Sequence, residues 1–196
     1  MNIVFLQAKK PLVKEITKDG TKPYPLVKNF TSKEETITVD KKGLTKLFRA
    51  LCSAADNGMC MLKGPLKRPL VDEPRAFMTD RATATEILVL DIDGLRATPG
   101  DDLQAMADRI VLQLPELFHD CSYIVQASAS LGIKKDTVSL HLFFLLDMPV
   151  HPKTLKDFLR SLNYESEFLA EQITLSANGQ SLSCVLDPSV ADNSLS

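Results

Sequence analysis

Tryptophan is absent from the 196 residues, and aromatic residues make up only 6%. A broad stacking platform for single strands is therefore not evident in the composition. Neither charge sign dominates: 23 Lys and Arg stand against 25 Asp and Glu, a formal net charge of −2. That balance argues against nucleic-acid binding by bulk charge, though it leaves room for a local basic groove. The four cysteines, Cys52, Cys60, Cys121 and Cys184, form no CxxC pair. Neither a zinc knuckle nor a disulfide framework is signalled, and a reducing cytoplasm is the expected location. No apolar run approaches the roughly 18 residues of a membrane span. The opening MNIVFLQAKKPLVKEI places its basic residues after the apolar ones, the reverse of a signal peptide. Internal repeats and low-complexity tracts are also missing.

What is present is 44% hydrophobic residues, enough for a sizeable core. NIVFLQA reads as a first strand, and Asp19-Gly20 as a hairpin turn. Asp40 is placed to cap a helix over KKGLTKLFRALCSAADNG, with Leu44, Leu47, Phe48, Leu51 and Ala55 on one buried face. MCML is a brief strand. The polar, proline-bearing stretch that follows, up to Thr83, is long for a structureless loop and is expected to be functional or packed.

From residue 86 the order is strand (EILVLDID), helix (PGDDLQAMADRIVLQLPELF), strand (CSYIVQAS), strand (VSLHLFFLLD), helix (HPKTLKDFLRSLN), strand (SLSCVLDPS). SEFLAEQITL reads as a further helix. The expected class is α+β: an RRM-like or ferredoxin-like βαββαβ module over residues 81–190, preceded by a smaller α/β unit over 1–80. The two are expected to form one domain, from a longer protein.

The chemistry concentrates in ILVLDIDG, residues 87–94. Continuous aliphatic residues predict a strand buried on both faces, yet it runs into Asp91 and Asp93. Burying carboxylates costs several kcal/mol, about what a positive partner must offset. The two acids are two residues apart and share a face. Ser139 and His141 likewise share a face of their own strand, and Asp187 ends the last one. If these strands are neighbours, three carboxylates meet and require a cation. Hard divalent ions prefer carboxylate oxygens, and Mg²⁺ commonly adds substrate phosphates.

The motifs LVLDIDG, VSLHLFF and CVLDPS, in that order, resemble the archaeo-eukaryotic primase superfamily, in its phage and plasmid primase-polymerase form. The resemblance covers about residues 58–190. It implies metal ligation by Asp91, Asp93 and Asp187, with Mg²⁺ or Mn²⁺ as cofactor. It also implies that Ser139 and His141 bind the phosphates of an incoming nucleotide. The activity implied is a DNA primase or polymerase: nucleotidyl transfer from nucleoside triphosphates on a single-stranded DNA template. The implied partners are that template, the triphosphates and a helicase region, in phage or plasmid replication within a host cytoplasm.

Lys63, Lys67, Arg68 and Arg75 form the one notable basic cluster, and Lys63, Arg68 and Arg75 are expected on template or triphosphate phosphates. Ser128 and Ser130 are candidates for similar contacts, against a plain turn. Lys134 and Lys135 are expected to be surface charges. Two other readings compete. DIDG is close to the Asp-x-Asp-Gly-Thr of haloacid-dehalogenase phosphatases, but Leu95 stands where Thr belongs and no later acid pair completes that site. A non-catalytic initiator module on a ferredoxin-like sheet would bind DNA without needing clustered acids.

Overall fold

A computed structural model of the protein describes residues 1–133, 136–176 and 179–193. Lys134 and Lys135 lie outside them. The chain is α+β, with antiparallel sheets and four α-helices among the described residues.

In the first part of the chain, β1 (Asn2–Gln7) leads to a small hairpin, β2 (Glu15–Thr17) and β3 (Gly20–Lys22), which turns at Lys18-Asp19, one residue before the expected Asp19-Gly20, with Gly20 paired to Thr17. Then come β4 (Asn29–Thr36), α1 (Lys41–Asp56), β5 (Cys60–Leu62) and the short β6 (Glu73–Pro74). The sheet order is β5-β1-β4-β6. Residues Ile3 to Leu6 are all buried, because both faces of β1 are covered. Val4 and Leu6 meet Leu62 and Leu70, whereas Ile3 and Phe5 face α1 and the second sheet. Asp40 caps α1 by accepting from the Gly43 amide at 2.7 Å. The helix buries Gly43, Leu47 and Ala54. Phe48, expected on that face, is exposed, because the buried stripe is rotated toward Gly43. There the helix lies so close to the strand end that an added Cβ would overlap Thr38 O.

The second sheet holds β7 (Thr85–Arg96), β8 (Ile124–Ala127) and β9 (Thr137–Val150) in the order β7-β9-β8, all antiparallel. One face is covered by α2 (Leu103–Val111) and α3 (Pro152–Glu165), which pack on Leu88, Leu90, Ile92, Leu140, Leu142 and Phe144. The expected long second helix stops early, because Pro115 cannot continue it; a 3₁₀ turn at Glu116–Phe118 follows. The other face carries Ile87, Val89, Ile124 and Phe143 against the first sheet and α1. This is why ILVL reads as continuously apolar.

The last part departs from expectation. SEFLAEQITL forms only a short α4 (Glu167–Ala170) and then β10 (Thr174–Leu175), which pairs with β11 (Leu182–Ser183). The predicted last strand is thus split. Its second half is a single bridge, Leu186 to Ile92 of β7. Asp93 N–H donates to Val185 O at 3.1 Å and Asp187 N–H to Asp91 O at 2.9 Å. The buried Asn163 amide of α3 takes both backbone groups of Leu186, at 3.1 and 2.8 Å, so no further strand is needed there. Along the sheet the order is Leu186 bridge, β7, β9, β8, consistent with the neighbour relations of a βαββαβ unit.

Gly94 explains why ILVLDID ends in glycine. The β7–β9 register shifts between Asp93 and Leu95, and Gly94 has φ +79°. The extra residue returns Leu95 to the helix-covered face, where it is fully buried, while both acids stay on the opposite face. Gly94→Ala meets no atom within 4 Å but holds an unfavourable backbone. It is expected to lose about 1 kcal/mol in urea unfolding.

Candidate functional site

The face of β7 carrying Ile87 and Val89 continues to Asp91 and Asp93. The first sheet covers the apolar half of that face and leaves the acids partly or fully exposed. Register sets their partners. Asp91 lies directly opposite His141, and Asp93 directly opposite Ser139. His141 Nε2 is 3.2 Å from Asp91 Oδ1, with both side chains about one-third exposed, 31% and 36%. The Ser139 hydroxyl donates to Asp93 Oδ1 at 2.6 Å. Its own side is buried, so the hydroxyl is held in place rather than free to rotate toward water. The His141 ring stands edge-on to Phe143, 6.4 Å between centroids, which fixes it from the apolar side.

The rows extend onto β8. Gln126 pairs with His141 and is exposed. The next row ends with Ser128, whose amide donates to Ser139 O at 3.0 Å. Thus Asp91–His141–Gln126 and Asp93–Ser139–Ser128 form two parallel lines across three strands. Gln126 was not singled out from the sequence, since a lone Gln in an alternating strand carries no signal until its register is known. Ser130 is buried, and its carbonyl accepts from Ile133 N–H at 3.1 Å, a turn role.

No protein-family model, no curated protein and no solved structure matches this chain.

Asp187 is tied to β7 by its backbone, its N–H donating to Asp91 O at 2.9 Å. Its carboxylate accepts from Ser189 N–H at 2.8 Å and from Ser189 Oγ–H at 2.7 Å, capping a 3₁₀ turn at Pro188–Ala191. Among the described residues, no group of three or more His, Cys, Asp or Glu side chains is gathered in a way that could hold a metal ion. The two carboxylates on β7 are brought together with Ser139 and His141, and the third is turned aside.

The basic residues have other contacts. Lys63 is buried at 6% exposure, and its ammonium donates to Ala191 O at 2.8 Å. Arg68 grips Glu73 with two parallel bonds of 2.6 and 2.5 Å, which hold the Glu73 carboxyl below its ordinary value. The Arg75 guanidinium lies over the Phe30 ring, 5.9 Å from its centroid. No disulfide links Cys52, Cys60, Cys121 and Cys184. No helix among the described residues is long and apolar enough to cross a membrane.

Burial pushes Lys63 down to about 8, with Asp192 opposing the shift. The unfolded chain would hold this proton up to about 10.5. Between those values the unfolded state binds more protons, so the charged, buried ammonium costs stability below pH 8 and the cost disappears as pH rises to 10.5. The stability of the native protein relative to Lys63→Met should therefore rise by up to about 3 kcal/mol from pH 7 to pH 10.5. Paired urea titrations read this directly, and a constant difference across the range would contradict it.

Proposed function

We propose that the protein is a metal-dependent nucleotidyltransferase of the primase-polymerase type, joining nucleoside triphosphates on a single-stranded DNA template. The observation that supports this most is the cross-strand pairing of Asp91 with His141 and of Asp93 with Ser139, on the uncovered end of a sheet face. A structural acid pair has no need of a histidine and a buried hydroxyl held opposite it.

The donor set fits a hard divalent cation. Asp91 and Asp93 offer carboxylate oxygens on one face, the chemistry that Mg²⁺ and Mn²⁺ take. These two residues would hold the ion, and Asp187 would join once its carboxylate leaves Ser189. When bound, such an ion neutralises developing charge on the transferring phosphoryl group and activates the attacking oxygen. The chain's own part is positioning. His141, about one-third exposed one strand away from the acids, is suited to the oxygens of a triphosphate, while the buried Ser139 hydroxyl, donated to Asp93, orients that carboxylate. Gln126, at the end of the histidine row, adds an amide on the same face.

Calorimetry with a nucleoside triphosphate, with and without Mn²⁺, tests the assignment. Native protein should bind in a metal-dependent way, and Asp91→Ala/Asp93→Ala should lose that dependence. Metal-dependent binding unaltered by the double substitution would place the nucleotide elsewhere.

A further inference from the structure

We propose that the turn Arg75–Met78, with Arg81, is a contact site for single-stranded nucleic acid, in which a base stacks on Phe77 and neighbouring phosphates meet the two arginines. The proposal rests on the template-using reading above for the identity of the strand, but it is tested without catalysis.

Phe77 carries the argument. Its backbone has φ +65°, a left-handed conformation that glycine adopts freely and a bulky aromatic rarely does. The residue is nevertheless 88% exposed. An aromatic residue in a strained turn usually gains its place by burial, and here burial contributes almost nothing. Among the described residues, the other non-glycine positions with positive φ are Asp72 and Asp136, a residue type that tolerates it. The combination of strain and exposure singles out Phe77 as a side chain kept for something outside the fold.

The surroundings fit a base with its phosphate. Arg75, Ala76, Phe77, Thr79 and Arg81 line a shallow cavity of about 270 Å³. Arg75 already lies over Phe30, so its guanidinium is held in a fixed direction. Of the two flanking acids, Glu73 is held by Arg68, and Asp80 directs its carboxylate to the amides of Ala82 and Thr83, at 3.0 and 3.2 Å, which blunts their repulsion of an anion. Arginine planes and an aromatic face beside them are the elements with which proteins bind single strands without reading sequence.

The turn is also firmly seated. Leu66 and Thr79 form an antiparallel bridge, flanked by Lys67 N–H to Met78 O at 2.8 Å and Asp80 N–H to Pro65 O at 2.9 Å. Asn193 donates to Asp80 O and Thr83 O at 3.0 and 2.8 Å. A pinned base with an exposed, strained tip is a preorganised contact rather than a loose loop. The turn lies just before β7, whose Asp91 is six residues beyond Thr85, roughly 20 Å along the strand.

The test uses fluorescence anisotropy of a labelled single-stranded DNA oligonucleotide without metal, at several salt concentrations. Native protein, Phe77→Gly, Phe77→Tyr and Arg81→Gln are compared, together with melting temperatures. Phe77→Gly should weaken binding about tenfold, while its melting temperature stays level or rises, since glycine relieves the turn. Phe77→Tyr should bind like native protein. Arg81→Gln should weaken binding and flatten its salt dependence. Heparin, a polyanion with no bases, should bind with no dependence on Phe77. Oligonucleotide binding by Phe77→Gly within about twofold of native protein would overturn the proposal, as would undetectable binding by native protein at low salt. Phe77-dependent binding of a free nucleoside triphosphate but not of the oligonucleotide would overturn the strand assignment. Repeating the comparison in Asp91→Ala/Asp93→Ala separates the two readings. Binding retained there, with transfer lost, supports both. Phe77-dependent binding in a native protein that shows neither product nor metal-dependent nucleotide binding leaves this site standing and removes the catalytic one.

Discussion

Asp91→Asn is expected to lower nucleotidyl transfer by at least about 100- to 1,000-fold, the scale seen when one preorganised charge or donor is removed from a reacting phosphate or carbonyl. The substitution keeps the shape of the side chain and a partner for His141 Nε2, 3.2 Å away. It removes the negative charge a divalent ion needs. Stability should move little, within about 0.5 kcal/mol, because Asp91 is about one-third exposed and makes no buried bond that Asn cannot replace. A primer-extension assay beside a urea unfolding curve separates loss of chemistry from loss of fold. Transfer within about threefold of native protein would remove Asp91 from the site, since even one lost donor costs more than that.

Gly64→Ala is expected to cost about 3 kcal/mol. An added Cβ would lie 2.3 Å from Asn193 Cβ and 2.7 Å from its Cγ, distances that real contacts do not reach. Asn193 is 1% exposed and cannot step aside. Its amide would leave Asp80 O and Thr83 O, and Gly64 N–H would leave Asn193 O, now 3.2 Å away. Overpacking contributes about 1–3 kcal/mol and each orphaned buried group about 1 kcal/mol more. For a chain of this size the melting temperature should fall by roughly 6–12 °C. The same change should loosen the Lys63–Ala191 contact next door and with it the turn that begins at Asp187. An unchanged melting temperature would mean that the C-terminal segment does not pack on Gly64.

The legible parts of this chain were those with a local cause. Side-chain alternation is enough to place Asp91 with Asp93, and Ser139 with His141, because a strand's period of two is fixed by its backbone. Asp40 as a cap and the hairpin signalled by Asp19-Gly20 rest on local hydrogen bonding and on φ; the cap is found as placed, and the hairpin turns one residue earlier, at Lys18-Asp19. Which acid meets which partner depends on register, a property of two strands, and no single segment states it. The Gly94 bulge shows the same limit: DIDG announces a glycine, but its use in returning Leu95 to the core follows only from the pairing with β9. Asp187 was read as closing a last strand, but that strand is split, and Asp187 opens the 3₁₀ turn that follows the Leu186 bridge. Its carboxylate is taken by Ser189, two residues on, a short-range competitor that strand order alone does not weigh. Lys63 carries the composition of a phosphate binder and the environment of a structural lysine, since its stem is buried beneath a distant segment. Phe77 gave no signal because a phenylalanine beside prolines and arginines reads as ordinary loop, and its meaning lies in a backbone angle.

The most direct test of the central claim is product formation. The protein is mixed with single-stranded DNA, labelled nucleoside triphosphates and Mg²⁺ or Mn²⁺, beside Asp91→Ala/Asp93→Ala. Short, template-dependent products from the native chain, absent from the double variant, are the predicted result. Products of equal yield from both proteins, or neither product nor metal-dependent nucleotide binding from the native chain, would contradict a nucleotidyl-transfer site on this face.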